Sequence, residues 1–355
     1  MRVVHVASGR EWRGGQRQVW LLARELQARG VNQVVITTSA SELSDRLSRA
    51  GVKVRPATWQ AGLDPRVLPP LLSELHRPAL VHAHDAHALT LAGLGAWLTS
   101  CPLVVTRRVT FPLRRRFFWA RACRIIAISR AVRDALIRDG LDDSKLVLIP
   151  SALDPAAPAS PAVDLRTRLR VSQKGQLAVA LGSLTREKDH LTLIQAASRL
   201  VQDLPDLHWI IVGEGPMKEQ LQQRSRELGV EDRLHLIGSL EDPHQALAEA
   251  DVFVLSSTSE GFGSSVLAAM ARGVPVVATR VGGVPDLLAN GSGMLVDPES
   301  PEALAGAVRL VLGDSVLAER LAQKARAEVP KYAVSAMAER VLSVYRSCAH
   351  SLDGA

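Results

Sequence analysis

Short apolar, β-branched runs alternate along the chain with longer stretches in which apolar positions recur every three to four residues. The short runs fall at 3–6, 34–37, 80–83, 103–106, 125–128 and 145–149, and the longer ones at 18–28, 43–50, 88–98 and 131–138. A continuous apolar run of about five residues suits a strand buried on both faces, and a 3.6-residue period suits a helix with one face in a core. Their alternation predicts a parallel sheet with helices on both faces. At 150–161 the text becomes PSALDPAAPASP, a linker composition. Beyond it the alternation restarts, with strands expected at 177–181, 207–212, 234–237, 252–255 and 276–278 and helices at 190–202, 217–228, 243–249, 264–272 and 301–312. The pattern therefore predicts an α/β chain of two doubly wound, Rossmann-like domains, 1–160 and 161–334. Ligands are expected at the carboxyl ends of the strands, in the cleft between the domains.

A chain of 355 residues is long enough for two such cores, and 47% hydrophobic with 22% charged residues excludes collagen, disordered tails and small disulfide scaffolds. Cys101, Cys123 and Cys348 are widely spaced and too few for a disulfide framework, which points to a reducing, cytoplasmic interior. The opening MRVVHVASG reads as a strand entering a glycine turn and lacks the pattern of a secretory signal. Residues 88–98 fall short of the roughly 20 apolar residues that span a bilayer and read as buried helix. The net charge of +7 is unevenly divided: residues 1–154 hold 23 Lys and Arg against 12 Asp and Glu, and the remainder holds 20 against 24. A front half of that sign suits an anionic partner such as lipid head groups, an acidic glycan or nucleic acid, or else reflects frequent surface arginine.

The strongest local signal is SEGFGSSVLAAM, 259–270, between an apolar strand and a helix. Gly261 and Gly263 remove side chains on either side of Phe262 where the backbone bends, and the amides of Ser264, Ser265 and Val266 then open the helix as an anion cradle. Glu260, directly before it, would repel a phosphate unless turned toward hydroxyl groups, so a ligand carrying both phosphate and sugar satisfies both features. GSLTREK, 182–188, brings Arg186 and Lys188 to another strand end, as a second phosphate contact or an ordinary charged loop. His82, His84 and His87 with Asp85 gather at a third strand end, where no further Cys or carboxylate completes a metal set; a polar acceptor wall or, for His82, a core histidine is expected, and no metal. Arg107 and Arg108 leave the strand PLVVT. Trp97, Trp119 and Trp209 read as core or helix-packing residues. Arg114, Arg115 and Arg116 run into Phe117, Phe118 and Trp119, which suits either an interfacial membrane segment or buried aromatics, and no nucleic-acid module is legible.

Together these segments carry a resemblance. GSLTREKD, VGEGPMKEQLQQRSRELGVEDRLHLIGSL, ADVFVLSSTSEGFGSSVLAAMARGVPVVATRVGGVPDLL and NGSGMLVDPESPEALA, preceded by HVASGREWRGGQRQVWLLARELQARG, VHAHDAHALTLA, PLVVTRRVTFP and IIAISRAVRDALIRDG, resemble the retaining, GT-B-fold, nucleotide-sugar-dependent glycosyltransferases of family 4 type. That family includes bacterial mannosyl- and glucosyltransferases of lipopolysaccharide, capsule and glycolipid synthesis. The resemblance implies an acceptor-binding domain over 1–160, with a C-terminal helix at about 335–350 packing back on it, and a donor-binding domain over 161–334. It assigns Glu260 to the donor sugar, the amides after Gly263 to sugar and diphosphate, Lys188 to phosphate, Gly14 and Gly15 to the donor phosphate from across the cleft, and the loop at Ile237 and Gly238 to the nucleobase. His84, His87 and Arg107 fall on the acceptor side. It implies no metal and no prosthetic group, a glycan or lipid-linked acceptor, peripheral contact with an anionic membrane and no nucleic-acid partner. Three departures stand out: Ala268 where the family usually has a ribose-binding Glu, Ser183 where Arg is common, and Arg108 where a His is frequent. Arg186 is then the replacement cation, and Arg108 a group for the leaving phosphate or an acidic acceptor. Ala268 and Arg108 also keep open a GT-B-shaped nucleotide-sugar-binding or scaffolding protein without catalysis, and a sugar-nucleotide epimerase is a more distant reading.

Overall fold

The structure is a computed structural model that describes residues 2–59, 64–75, 79–113, 116–154 and 164–353. It divides into two compact units, residues 1–154 with 332–355, and residues 155–331. Most of the Pro- and Ala-rich linker text, and Arg114 and Arg115, lie outside the described residues.

In the first unit β1 (Arg2–Ala7), β2 (Gln33–Thr38), β3 (Val54–Ala57), β4 (Ala79–Ala83), β5 (Leu103–Arg107), β6 (Arg124–Ala127) and β7 (Leu146–Leu148) form one parallel sheet, ordered β3-β2-β1-β4-β5-β6-β7. β2, β4 and β5 are buried along their whole length, which is why their sequences read as unbroken apolar runs. β3 gave no such signal. It is an edge strand, where Pro56 is tolerated because one side of the ladder is unpaired. The helix Leu68–Glu74 was also missed, its two prolines lying in the first turn where no intrahelical amide is needed. The strand order reverses between β1 and β4, which places a switch point at their carboxyl ends.

The helix Val334–Asp353 belongs to this unit. Its Val334, Met337, Ala338, Val341, Val344 and Tyr345, spaced at three to four residues, are buried with Val3, Leu21, Leu22, Leu80 and Val104. The chain leaves and re-enters the unit at one place, where the Leu153 amide donates to the Tyr332 carbonyl at 2.9 Å and the Val334 amide to the Leu153 carbonyl at 3.0 Å. The same helix corrects the cysteine reading. Cys348 is joined to Cys123 in a disulfide, with Cα atoms 6.0 Å apart across 225 residues of sequence, a pairing that spacing could not reveal. Trp97 is also corrected: it is 56% exposed, whereas Trp119 and Trp209 are buried.

In the second unit β8 (Gln176–Leu181), β9 (Leu207–Val212), β10 (Leu234–Gly238), β11 (Val252–Leu255), β12 (Val276–Thr279) and β13 (Met294–Val296) form a parallel sheet ordered β10-β9-β8-β11-β12-β13. The switch point here lies between β8 and β11. Residues 243–249 form a 3-10 helix in place of the expected α-helix, with Pro243 in its first turn and the Asp242 side chain accepting from the His244 amide at 3.1 Å. The helix Ser315–Glu328, unassigned from sequence, is capped by Asp314 and buries Leu321, Ala322 and Ala325. No described helix is long and apolar enough to cross a membrane.

Candidate active site

In the second unit two loops meet at the switch point. One leaves β8 and carries Gly182 to Lys188; the other leaves β11 and carries Ser256 to Gly263. They are laced together: the Ser256 hydroxyl donates to the Lys188 carbonyl at 3.0 Å, and the Thr258 amide to the Glu187 carbonyl at 2.9 Å. The Lys188 ammonium pairs with the Glu260 carboxylate, which also accepts from the Ser257 hydroxyl at 2.9 Å. The sequence assigned these residues to different parts of a ligand; the structure holds them against each other. One of the ammonium's three donors is used in the pair, which leaves capacity for a phosphate oxygen.

The helix Ser264–Arg272 starts beside this pair. Gly263 is its N-cap in the left-handed region, φ 95°, and no side chain caps it, so the amides of Ser264, Ser265 and Val266 are donors at the positive end of the helix. A Cβ on Gly263 would lie 3.1 Å from Val284. At Gly282, φ 54°, a Cβ would collide with the Glu260 carbonyl, so a bare backbone there lets the next loop support the Glu260 turn. The same device recurs at Gly213, where a Cβ would strike the Gly182 carbonyl.

Arg186 is exposed and has no ion pair among the described residues, and the Ser183 hydroxyl lies 3.3 Å from that of Thr185. Ile237 and Gly238 close β10, and the Gly238 carbonyl accepts from the Gly213 amide at 2.8 Å. The candidate base-binding turn therefore lies three strands from β11, roughly 14 Å by strand spacing. Ala268 is half-buried on the helix that begins at the cradle. The sequence reading missed His190. It is buried, its Nε2 lies 3.3 Å from the Ser183 carbonyl, and burial lowers it to about 4, so it stands neutral under the β8 loop. Its place directly after the charged loop, as the first residue of the helix His190–Leu200, was the available signal.

In the first unit the carboxyl ends of β1, β4 and β5 bring Ser8, His84, Asp85, Arg107 and Arg108 together with the start of the helix Gly14–Ala28. That helix has no side-chain cap, and a Cβ on Gly15 would lie 3.7 Å from Arg108 Cδ. Asp85 is a fastener: it accepts from the Ser8 amide and the Ala88 amide, each at 2.8 Å, and so joins β1 to the helix Ala86–Thr99. Burial lowers the Arg108 guanidinium to about 10, with Asp85 opposing, so it stays charged at neutral pH, and its Nε has no partner among the described residues. Arg107, expected on the acceptor side, stands at the end of β5 with its guanidinium engaged. Its guanidinium is taken up by the Val109 carbonyl at 3.0 Å, the Phe111 carbonyl and the face of Trp119, and so shapes its own loop.

His87 is exposed, but His84 is buried and therefore is not a surface wall. Its Nε2 lies 2.9 Å from Nδ1 of His5, a residue the sequence reading did not single out. His82 is a hydrogen-bonded core histidine, 2.6 Å from the Tyr345 hydroxyl and 2.7 Å from that of Thr106. Burial holds His5 down at about 4 and His82 and His84 well below their ordinary value, so all three are neutral. Among the described residues this is the group with metal-ligand spacing, each side chain offering a nitrogen within 4.8 Å of the others. His5, in place of the expected His87 and Asp85, is thus the third side chain grouped with His82 and His84. Both His82 nitrogens are already engaged, however, and an ion there would have to displace a hydroxyl.

Residues 164–328 match the model of glycosyl transferases group 1, and residues 12–157 match that of glycosyltransferase family 4. The chain is 30% identical over 308 residues to the alpha-maltose-1-phosphate synthase of Mycobacterium tuberculosis, covering 75% of this chain and 78% of that one. It belongs to the family 4-type glycosyltransferases. This glycosyltransferase is also 33% identical over 164 residues to the lipopolysaccharide core biosynthesis glycosyltransferase LpsE of Rhizobium meliloti, a match spanning 46% of this chain and about half, 47%, of the relative. In fold it is similar to Anabaena HepE, solved in complex with UDP-glucose, with a TM-score of 0.86 at 22% identity over 98% of this chain and 100% of that one. Its two doubly wound units are therefore of GT-B type.

Proposed function

We propose that this glycosyltransferase moves a sugar, with retention of configuration, from a nucleoside diphosphate sugar bound by the second unit to a glycan or lipid-linked acceptor bound by the first. The observation that carries the reading is the Glu260–Lys188 pair beside the uncapped start of the helix Ser264–Arg272: cation, helix amides and carboxylate together suit a diphosphate joined to a sugar. Lys188 and the amides of Ser264, Ser265 and Val266 take the diphosphate, Arg186 swings in from solvent as a further cation, and Glu260 takes sugar hydroxyls. The Ile237 and Gly238 turn takes the base through backbone groups. As the sugar–phosphate bond breaks, negative charge grows on the leaving diphosphate, where these donors are already placed, so neutralisation needs no group beyond them. The acceptor's proton then goes to the leaving phosphate, because Arg108 is a poor base. Arg108 steadies charge beside Gly15. Relatives named for lipopolysaccharide core synthesis favour a lipid-linked acceptor and work at a membrane surface.

Calorimetry with UDP, GDP and ADP, followed by transfer and hydrolysis assays on sugars of whichever base binds, tests the proposal. Binding of one nucleoside diphosphate with turnover of its sugar is expected. Binding without any turnover would favour the second reading, a nucleotide-sugar-binding protein that Ala268 and Arg108 have left without catalysis.

A further inference from the structure

The fold brings Cys123 and Cys348 together at the amino end of β6, and the two ends of their bond differ. Cys123 is half-buried between the helix Phe117–Arg121 and β6, and its amide donates to the Leu103 carbonyl of β5 at 2.8 Å. Cys348 is 1% exposed, inside the cluster that holds Leu21, Leu80, Val104 and Tyr345. One sulfur is open to a small reagent and the other is not.

The bond acts on the end of the returning helix Val334–Asp353. Its buried positions run from Val334 to Tyr345; Arg346 and Ser347 are exposed, and Cys348 is the next buried side chain. Apolar packing therefore holds most of the helix down with or without the bond, and the bond fixes its last turns. One turn before Cys348, the Tyr345 hydroxyl meets His82 Nδ1 at 2.6 Å, and His82 Nε2 meets the Thr106 hydroxyl at 2.7 Å. Thr106 leads directly into Arg107 and Arg108. Nearer its start, the helix packs on Leu21, Leu22 and Leu26 of the helix Gly14–Ala28, and its Ser335 carbonyl accepts from Arg29 at 3.0 Å. The returning helix thus touches two of the elements that carry the first unit's candidate site, and a contiguous chain of contacts joins the bond to them.

We propose that Cys123–Cys348 is a thiol–disulfide exchange site, entered by small thiols from the Cys123 side, whose state sets the order of Tyr345 and of the groups it holds. A thiolate attacks Cys123 Sγ, the S–S bond breaks, and its electron pair leaves on Cys348 Sγ, which takes up a proton. A second thiolate displaces Cys123 from the mixed disulfide. Two protein thiols and one small disulfide result, so both electrons come from the reductant. The incoming thiolate is an anion, and positive charge stands on that side: Arg121 is exposed, and Arg124 Nη1 donates to the Cys123 carbonyl at 2.8 Å. The helix stays docked after reduction, so the two thiols remain neighbours and the bond can reform. The inference goes beyond sugar transfer and does not rest on it.

The test uses the full chain without denaturant, reduced with dithiothreitol or oxidised with glutathione disulfide. Thiol counting should find one free thiol, Cys101, in the oxidised chain and all three cysteines free in the reduced one. Reduction should lower the thermal midpoint by about 5–15 °C, speed amide exchange at 344–349 and shift the imidazole resonances of His82, and glutathione disulfide should restore all three. Cys123→Ser, which leaves the packing of Cys348 in place, should give the reduced chain's spectrum in either buffer. Three thiols that appear only in urea would mean a sealed staple. A lower midpoint with unmoved His82 resonances would mean a staple that does not reach the site, and loss of protection throughout the first unit would mean global unfolding. Each of these results overturns the proposal. Transfer should fall several-fold on reduction at unchanged nucleoside diphosphate affinity, and equal transfer in both states also overturns it. If neither state transfers sugar while thiol count and His82 resonances respond, the catalytic reading falls alone.

Discussion

Replacing Lys188 by alanine removes a cation and also leaves the largely buried Glu260 carboxylate without its partner, facing any phosphate that binds. Arg186, exposed and unpaired among the described residues, has no such second duty. Both variants should weaken nucleoside diphosphate binding, Lys188→Ala the more. Loss of one charge-assisted contact is worth about 1.5–3 kcal/mol, or roughly ten- to a hundredfold in affinity. Unchanged titrations for both would place the phosphates elsewhere. Glu260→Gln is the complementary change. It keeps a side chain that can accept from Ser257 and removes the charge, so turnover should fall while free diphosphate affinity holds. A collapse of diphosphate affinity in that variant would reverse the assigned orientation of the donor.

At the scale of elements, the glycines separate those that shape the site from those that merely occur. A Cβ on Gly213 would meet the Gly182 carbonyl, and its φ of 155° strains any side chain, so Gly213→Ala should destabilise the second unit by a few kcal/mol and displace the β8 loop. Gly306, inside the helix Pro301–Gly313, has nothing within 4 Å of a new Cβ, and Gly306→Ala should stabilise by about 0.5–1 kcal/mol. Thermal melts of the two variants should shift in opposite directions; a shared direction would show that the close approach at Gly213 is not what holds the loop. These examples also mark what the sequence could tell. Buried strands announced themselves because both faces are apolar, and the cradle at Gly263 because glycine before a helix is a local signal. What stayed hidden was long-range. His5 and His84 meet only when β1 and β4 pair, Cys123 meets Cys348 only when the last helix returns, and Lys188 meets Glu260 only at a switch point between strands distant in sequence. Arg107 looked like a ligand-binding group because its place at a strand end was legible, whereas the loop carbonyls that occupy it were not.

For the molecule as a whole, the buried imidazoles set the response to acid. Burial lowers His5 and His190 to about 4 in the folded chain and holds His82 and His84 well below their ordinary 6.5, and in each case it is the leading cause. The unfolded chain therefore binds protons first as pH falls. Folding stability carries their full contribution above about 6.5 and loses it between about 6.5 and 4, at about 1.4 kcal/mol per pH unit for each imidazole. Three of these four lie together in the first unit, where the Tyr345 hydroxyl of the returning helix meets His82, so that unit should lose roughly 4 kcal/mol per pH unit. The second unit holds His190 and the half-buried His235, both near 4, and His208, lowered by burial without so large a shift, so it should lose less. Carboxylates with lowered values, such as Asp142 and Asp164, act in the same direction only nearer pH 4, so the window from 6.5 to 4.5 reports the imidazoles. Urea unfolding at several pH values, followed by exchange of the β1 and β8 amides, resolves the two units. Protection of β1 should fall first on acidification, and stability that is flat from pH 7 to 4.5 would mean that the three imidazoles are not buried neutral beneath the candidate-site loops.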